Sequence, residues 1–75
     1  MHINEVRALL KPEDGNVVSL KCWTKDGSVM ELKKAVCVSN YIRGGTRRMK
    51  IFPSTQVRLI RDFLIFECNG QEVFL

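Results

Sequence analysis

The dipeptide Asn69-Gly70 constrains this chain more than any other feature, because both residue types accept the positive φ values that a two-residue hairpin turn demands. It follows Phe63-Leu64-Ile65-Phe66, an aromatic and β-branched run suited to a strand, and it leads into Gln71-Glu72-Val73-Phe74-Leu75. The expectation is a closing β-hairpin. Asp26-Gly27 repeats the signal upstream. Before it, residues 16–25 alternate with period two, Val18, Leu20 and Cys22 on one face and Val17, Ser19, Lys21, Trp23 and Lys25 on the other. After it, a second extended run goes from Ser28 to about Val38, so the pair reads as a hairpin whose turn takes positive φ from Asp26-Gly27.

Ahead of these strands, Ile3, Val6, Leu9 and Leu10 fall at helical spacing. Asn4 is placed to cap, and Glu5 and Lys11 match the two ends of the helix dipole. About two turns of helix are expected, ended by Pro12-Glu13-Asp14-Gly15. Residues 39–45, with Gly44-Gly45, read as a loop. A third strand, 46–52, sets Arg47, Met49 and Ile51 against Arg48, Lys50 and Phe52, and Pro53 ends it because proline donates no ladder bond. The segment from Gln56 to Cys68 admits two readings. Ser54 could cap a helix with Val57, Ile60 and Leu64 on its apolar face. The aromatic and β-branched content ahead of Asn69-Gly70 favours two strands broken at Arg61-Asp62.

These elements predict a mostly β fold, a small SH3-like barrel or rolled antiparallel sheet of five to six strands with a short N-terminal helix, as one domain over 1–75. The likeness to SH3-like folds is one of architecture and carries no function. The expected core is Val6, Leu9, Leu10, Val18, Leu20, Cys22, Met30, Leu32, Val36, Val38, Met49, Ile51, Val57, Ile60, Leu64, Phe66, Val73 and Leu75. With 75 residues the chain is near the lower size for one hydrophobic core, and 45% apolar and 27% charged residues suit a folded chain rather than a disordered one. No apolar run is long enough for a membrane-spanning helix, and the start lacks the flank of a secretory signal. Three dispersed cysteines, Cys22, Cys37 and Cys68, fit reduced thiols. A soluble, cytoplasmic protein is expected.

Function has one clear clue in charge distribution. From Leu32 to Arg61 there are eight basic residues and no Asp or Glu, so the middle carries +8 and the flanks −4. This asymmetry suggests a non-enzymatic accessory domain that binds an acidic partner, nucleic acid or an acidic protein. A nucleic-acid surface needs such cations to displace counterions from phosphates, often with exposed aromatics for bases. The candidate binding residues are Arg43, Arg47, Arg48, Lys50, Lys33, Lys34 and Tyr41. Gly44-Gly45 between Arg43 and Arg47 permits close approach of an anion, although it lacks the Lys-Ser/Thr of a nucleotide-binding loop. The competing reading is a solvated strand face, with Arg58 and Arg61 paired to Asp62, Glu67 or Glu72.

A second class of function is a protein-docking or homodimerisation module using an edge strand. It is suggested by the apolar end Val73-Phe74-Leu75 and by Trp23 on a mixed face. Enzymatic activity is not expected, since the only histidine is His2 and no nucleophile is spaced to meet it. No cofactor, metal or membrane is expected as a partner. Cys22, Cys37 and Cys68 stand singly rather than in ligand pairs and read as core residues.

Overall fold

The computed structural model describes residues 1–41 and 43–75; Ile42, inside the loop expected over 39–45, lies outside the described residues. The described residues form one α-helix, α1 (Ile3–Leu9), two single 3-10 turns (Pro12–Asp14 and Asp62–Leu64) and six strands: β1 (Val17–Trp23), β2 (Val29–Tyr41), β3 (Thr46–Ile51), β4 (Gln56–Arg61), β5 (Ile65–Cys68) and β6 (Gln71–Glu72). All six lie in one open antiparallel sheet, ordered β4-β3-β2-β1-β5-β6. No barrel closes. The sheet is nevertheless strongly curved, since Cys22 and Trp23 of β1 line one groove with Leu59 and Ile60 of β4. In a flat sheet, strands three apart in order would stand ~14 Å from each other.

The turns follow their residues. Asn69 and Gly70 both have positive φ, 51° and 79°, as the expected hairpin requires. At Asp26-Gly27 only Gly27 takes positive φ, 87°, so this turn departs from the expected pair of positive values. Asp26 instead ties the turn through its carboxylate, which accepts bonds from Thr24 Oγ1, Ser28 Oγ and Ser28 N. Helix α1 occupies the expected place with a different cap. His2 Nδ1, not Asn4, accepts the free N–H of the first turn, from Asn4 N at 3.0 Å. His2 is also anchored, bridged to Phe74 and packed edge-to-face on its ring at 5.7 Å.

The buried cluster is Ile3, Val6 and Leu10 from the helical segment, Val18, Leu20 and Cys22 from β1, Leu32, Ala35 and Cys37 from β2, Met49, Ile60, Ile65, Cys68 and Val73. Several expected core residues lie elsewhere. Val38, Val57 and Leu75 are exposed, and Leu9, Met30, Val36, Ile51, Leu64 and Phe66 are half-buried. The cause in β2 is a bulge. Leu20 faces Leu32 and Val18 faces Ala35, so Ser19 alone on β1 opposes both Lys33 and Lys34. One extra residue reverses the alternation, turning Ala35 and Cys37 inward in place of Val36 and Val38. A second irregularity between Lys21 and Cys22 does the same to β5, where Ile65 and Cys68 point in and Phe66 stacks on Trp23 at 5.0 Å between centroids. Among the described residues no helix is long and apolar enough to cross a membrane.

Candidate nucleic-acid interface

The outer face of β2, β3 and β4 is built from cross-strand rows. Residues opposite one another in an antiparallel ladder share a face, and successive rows on that face are two residues, or ~7 Å, apart. The first row is Tyr41, Thr46 and Arg61; the second is Ser39, Arg48 and Leu59; the third is Val36, Lys50 and Val57. Beyond them Phe52 donates its N–H to the carbonyl of Lys34, at 2.9 Å, which places the bulge lysine in a fourth row. The four rows thus present Arg61, Arg48, Lys50 and Lys34 in turn. Lys50 lies over the ring of Phe52, 5.9 Å from its centroid.

Between these cations stand apolar and aromatic groups. Tyr41 is 61% exposed and Leu59 63%. They border a depression of about 430 Å³ that Ser39, Asn40, Thr46, Arg47 and Arg48 also line. Gly44 lets the Tyr41 ring lie close against the loop, since a Cβ there would sit 2.7 Å from Tyr41 Cδ1. Arg43 is exposed on the same loop, and Lys33 beside Lys34 at the bulge. Of the seven candidate residues, Tyr41 and Arg48 are brought directly together, Lys50 and Lys34 continue their line, and Arg43 and Lys33 lie at its margins.

Arg47 is different. It is 7% exposed and shares the inward phase of Met49, opposite Ile60. Its Nε donates to Asp62 Oδ1 at 2.7 Å, Nη2 to Asp62 Oδ2 at 3.3 Å, and Nη1 to the carbonyl of Leu10 at 2.7 Å. Arg7 Nε donates to the same carboxylate at 3.2 Å. Burial works against the Arg47 charge, but the bonds and the field of Asp62 more than offset it and leave the guanidinium pKa raised. The charge of Arg47 is matched inside the molecule, so Arg47 does not belong with the exposed cations. Asp62 likewise does not pair with Arg58 or Arg61, whose side chains are exposed.

Sequence reasoning missed Arg61 as a member of the line and Arg7 and Asp62 as partners of Arg47. One signal was present, the period-two phase that Arg47 shares with Met49 and Ile51. The thiols of Cys22, Cys37 and Cys68 are free and buried, and burial raises the pKa of each. The terminal strand expected to form an open edge is short. β6 has two residues, its Glu72 carbonyl accepts from Met1 N at 2.8 Å, and Val73 is buried. The longer of the two end strands is β4, which shares a groove with Cys22 and Trp23 of β1. No family model, curated protein or solved structure matches this chain.

Proposed function

We propose that this chain is a non-enzymatic accessory domain that binds single-stranded nucleic acid through backbone phosphates, along the outer face of β2–β4. The observation that carries the reading is the spacing of Arg61, Arg48, Lys50 and Lys34, one to each successive row, in a stretch of sequence without a carboxylate. Cations at regular intervals suit a repeating anion. Tyr41, exposed beside Arg48, offers a ring on which a base stacks without regard to sequence. The reading requires no metal or cofactor. An SH3-like roll is the architecture attached to it, supported by the curvature of six strands into a globule of 26 × 25 × 24 Å. A cytoplasmic setting is supported by three free, buried thiols.

The test is fluorescence anisotropy of a labelled single-stranded oligonucleotide across a salt series. Four phosphate contacts give a slope of log K against log salt of roughly −3. Arg48→Ala with Lys50→Ala should bring that slope to roughly half, and Tyr41→Ala should weaken binding by ~1 to 3 kcal/mol with little change in slope. No binding at low salt, or a slope unmoved by the double substitution, refutes the proposal.

A further inference from the structure

A cleft of about 340 Å³ lies between the end of α1 and the loop end of the β2–β3 hairpin, within the size range of small-ligand sites. Its charged lining is Arg7, Lys11, Arg47 and Asp62, and its neutral lining is Asn40, Tyr41 and Thr46. The acceptors there already have donors. Asp62 Oδ1 accepts from Arg47 Nε at 2.7 Å, and Oδ2 accepts from Arg47 Nη2 at 3.3 Å and from Arg7 Nε at 3.2 Å. The carbonyl of Leu10, at the helix end, accepts from Arg47 Nη1 at 2.7 Å. Donors are in excess. Arg7 engages Asp62 through Nε, and its guanidinium is steadied over the ring of Phe63, 5.6 Å from the centroid. Lys11 is exposed and joins no ion pair among the described residues. Three cations against one carboxylate leave the cleft with a net charge of +2.

Charge and position together select the occupant. A phosphate inside a nucleic-acid strand carries one negative charge, whereas a phosphomonoester at the end of a strand carries ~1.5 to 2 at neutral pH. Asn40, Tyr41, Thr46 and Arg47 border both the cleft and the depression beside Arg48, so the two adjoin at the row of Tyr41, Thr46 and Arg61. That row is the last before the β2–β3 loop, and the line of cations stops there. A strand that follows the line from Lys34 through Lys50 and Arg48 therefore reaches the cleft with its end. We infer that the cleft takes the phosphorylated end of the single strand, with the terminal phosphomonoester on Arg7 and Lys11 and its nucleotide beside Tyr41, Asn40 and Thr46. The inference rests on the reading of the outer face as the path of that strand. A free phosphate ion would leave the ring, the amide and the hydroxyl unused, and a strand interior would leave one positive charge unmatched.

The test is fluorescence anisotropy of the full chain with three oligonucleotides of one sequence and one internal label, ending in hydroxyls, in a 5′-phosphate or in a 3′-phosphate. One of the two phosphorylated strands should bind about tenfold more tightly than the hydroxyl-ended strand at low salt, with a salt slope steeper by roughly one. Lys11→Ala alters an exposed side chain outside the buried cluster; it should erase that gain and leave the hydroxyl-ended strand bound as before. Arg48→Ala with Lys50→Ala should weaken all three strands alike and preserve the gain. Equal affinity for the three strands overturns the inference while the outer-face reading stands. An equal gain at both ends, or a gain that survives Lys11→Ala, also overturns it, because added charge alone then explains the tighter binding. Failure of every strand to bind overturns the outer-face reading and this inference with it.

Discussion

Asp62 gathers a guanidinium from the helix and another from the middle of the sheet, and this carboxylate is 4% exposed. Removing one member of such a buried pair strands the other, a loss of ~3 to 5 kcal/mol. Asp62→Ala and Arg47→Ala should each destabilise the chain by that amount, measured by urea denaturation. That is a large part of the ~4 to 11 kcal/mol expected for a domain of this size. Arg47→Leu combined with Asp62→Leu should cost less than the two single losses together, because no charge is left without a partner. The same result would separate Arg47 from the exposed cations, since its loss acts on folding. A second residue-scale effect lies at Asp26, whose carboxyl is held down to about 2 by bonds from Thr24 and Ser28. A depressed carboxyl contributes stability that is present above its ordinary pKa of ~3.9 and is lost as pH falls through the folded value. The gap in urea midpoint between the parent and Asp26→Ala should therefore hold steady down to ~pH 5 and shrink between ~4 and 2.

At the scale of elements, the bulge at Lys33-Lys34 decides which side of β2 is core. Ala35 is fully buried and Val36 sits on the outer face between Val17 and Lys50. Ala35→Leu should thus cost ~1 to 3 kcal/mol by overpacking. Val36→Ala should cost less, ~1 kcal/mol or under, because it leaves the close-packed side untouched. The order would reverse in an unbulged strand. The number of strands and the places of the turns were legible, because Asn69-Gly70, Asp26-Gly27 and Pro53 act locally and need no knowledge of partners. Strand β2, however, runs on through Tyr41 where a loop was expected from Ser39, because Ser39, Asn40 and Tyr41 pair with Arg48, Arg47 and Thr46 of β3. The break at Arg61-Asp62 was legible for the same reason. Bulges were not, since an extra residue is defined only by the strand opposite, here Ser19 against two lysines. The exposure of Val57 and Leu59 was hidden too: period two shows that they share a side, but their place on an outer face at the sheet's edge depends on strand order. For the interface, charge distribution located the basic region, while the rows that join Arg61 to Arg48 and exclude Arg47 arise from register across β3 and β4.

For the whole molecule, the segment before α1 binds the two ends of the chain into one structure. Phe74 donates to the carbonyl of Met1 at 3.0 Å and Ile3 to that of Phe74 at 2.8 Å, and Val73 enters the same buried cluster as Val6 and Leu20. Because that cluster draws on α1 and on β1 to β5, no part of the sheet retains its own core when another part opens. The 75 residues should therefore unfold as one cooperative unit. Trp23, the only tryptophan, rests on Phe66 across the β1–β5 contact, so its fluorescence reports a local event that circular dichroism reports globally. The two thermal transitions should superimpose. Leu20→Ala, at a fully buried site, should remove ~2 to 5 kcal/mol and lower both midpoints together, by ~4 to 8 °C for each kcal/mol lost. If fluorescence falls before the dichroism, or Leu20→Ala moves only one of them, the β1–β5 region opens on its own and the chain is not a single cooperative unit.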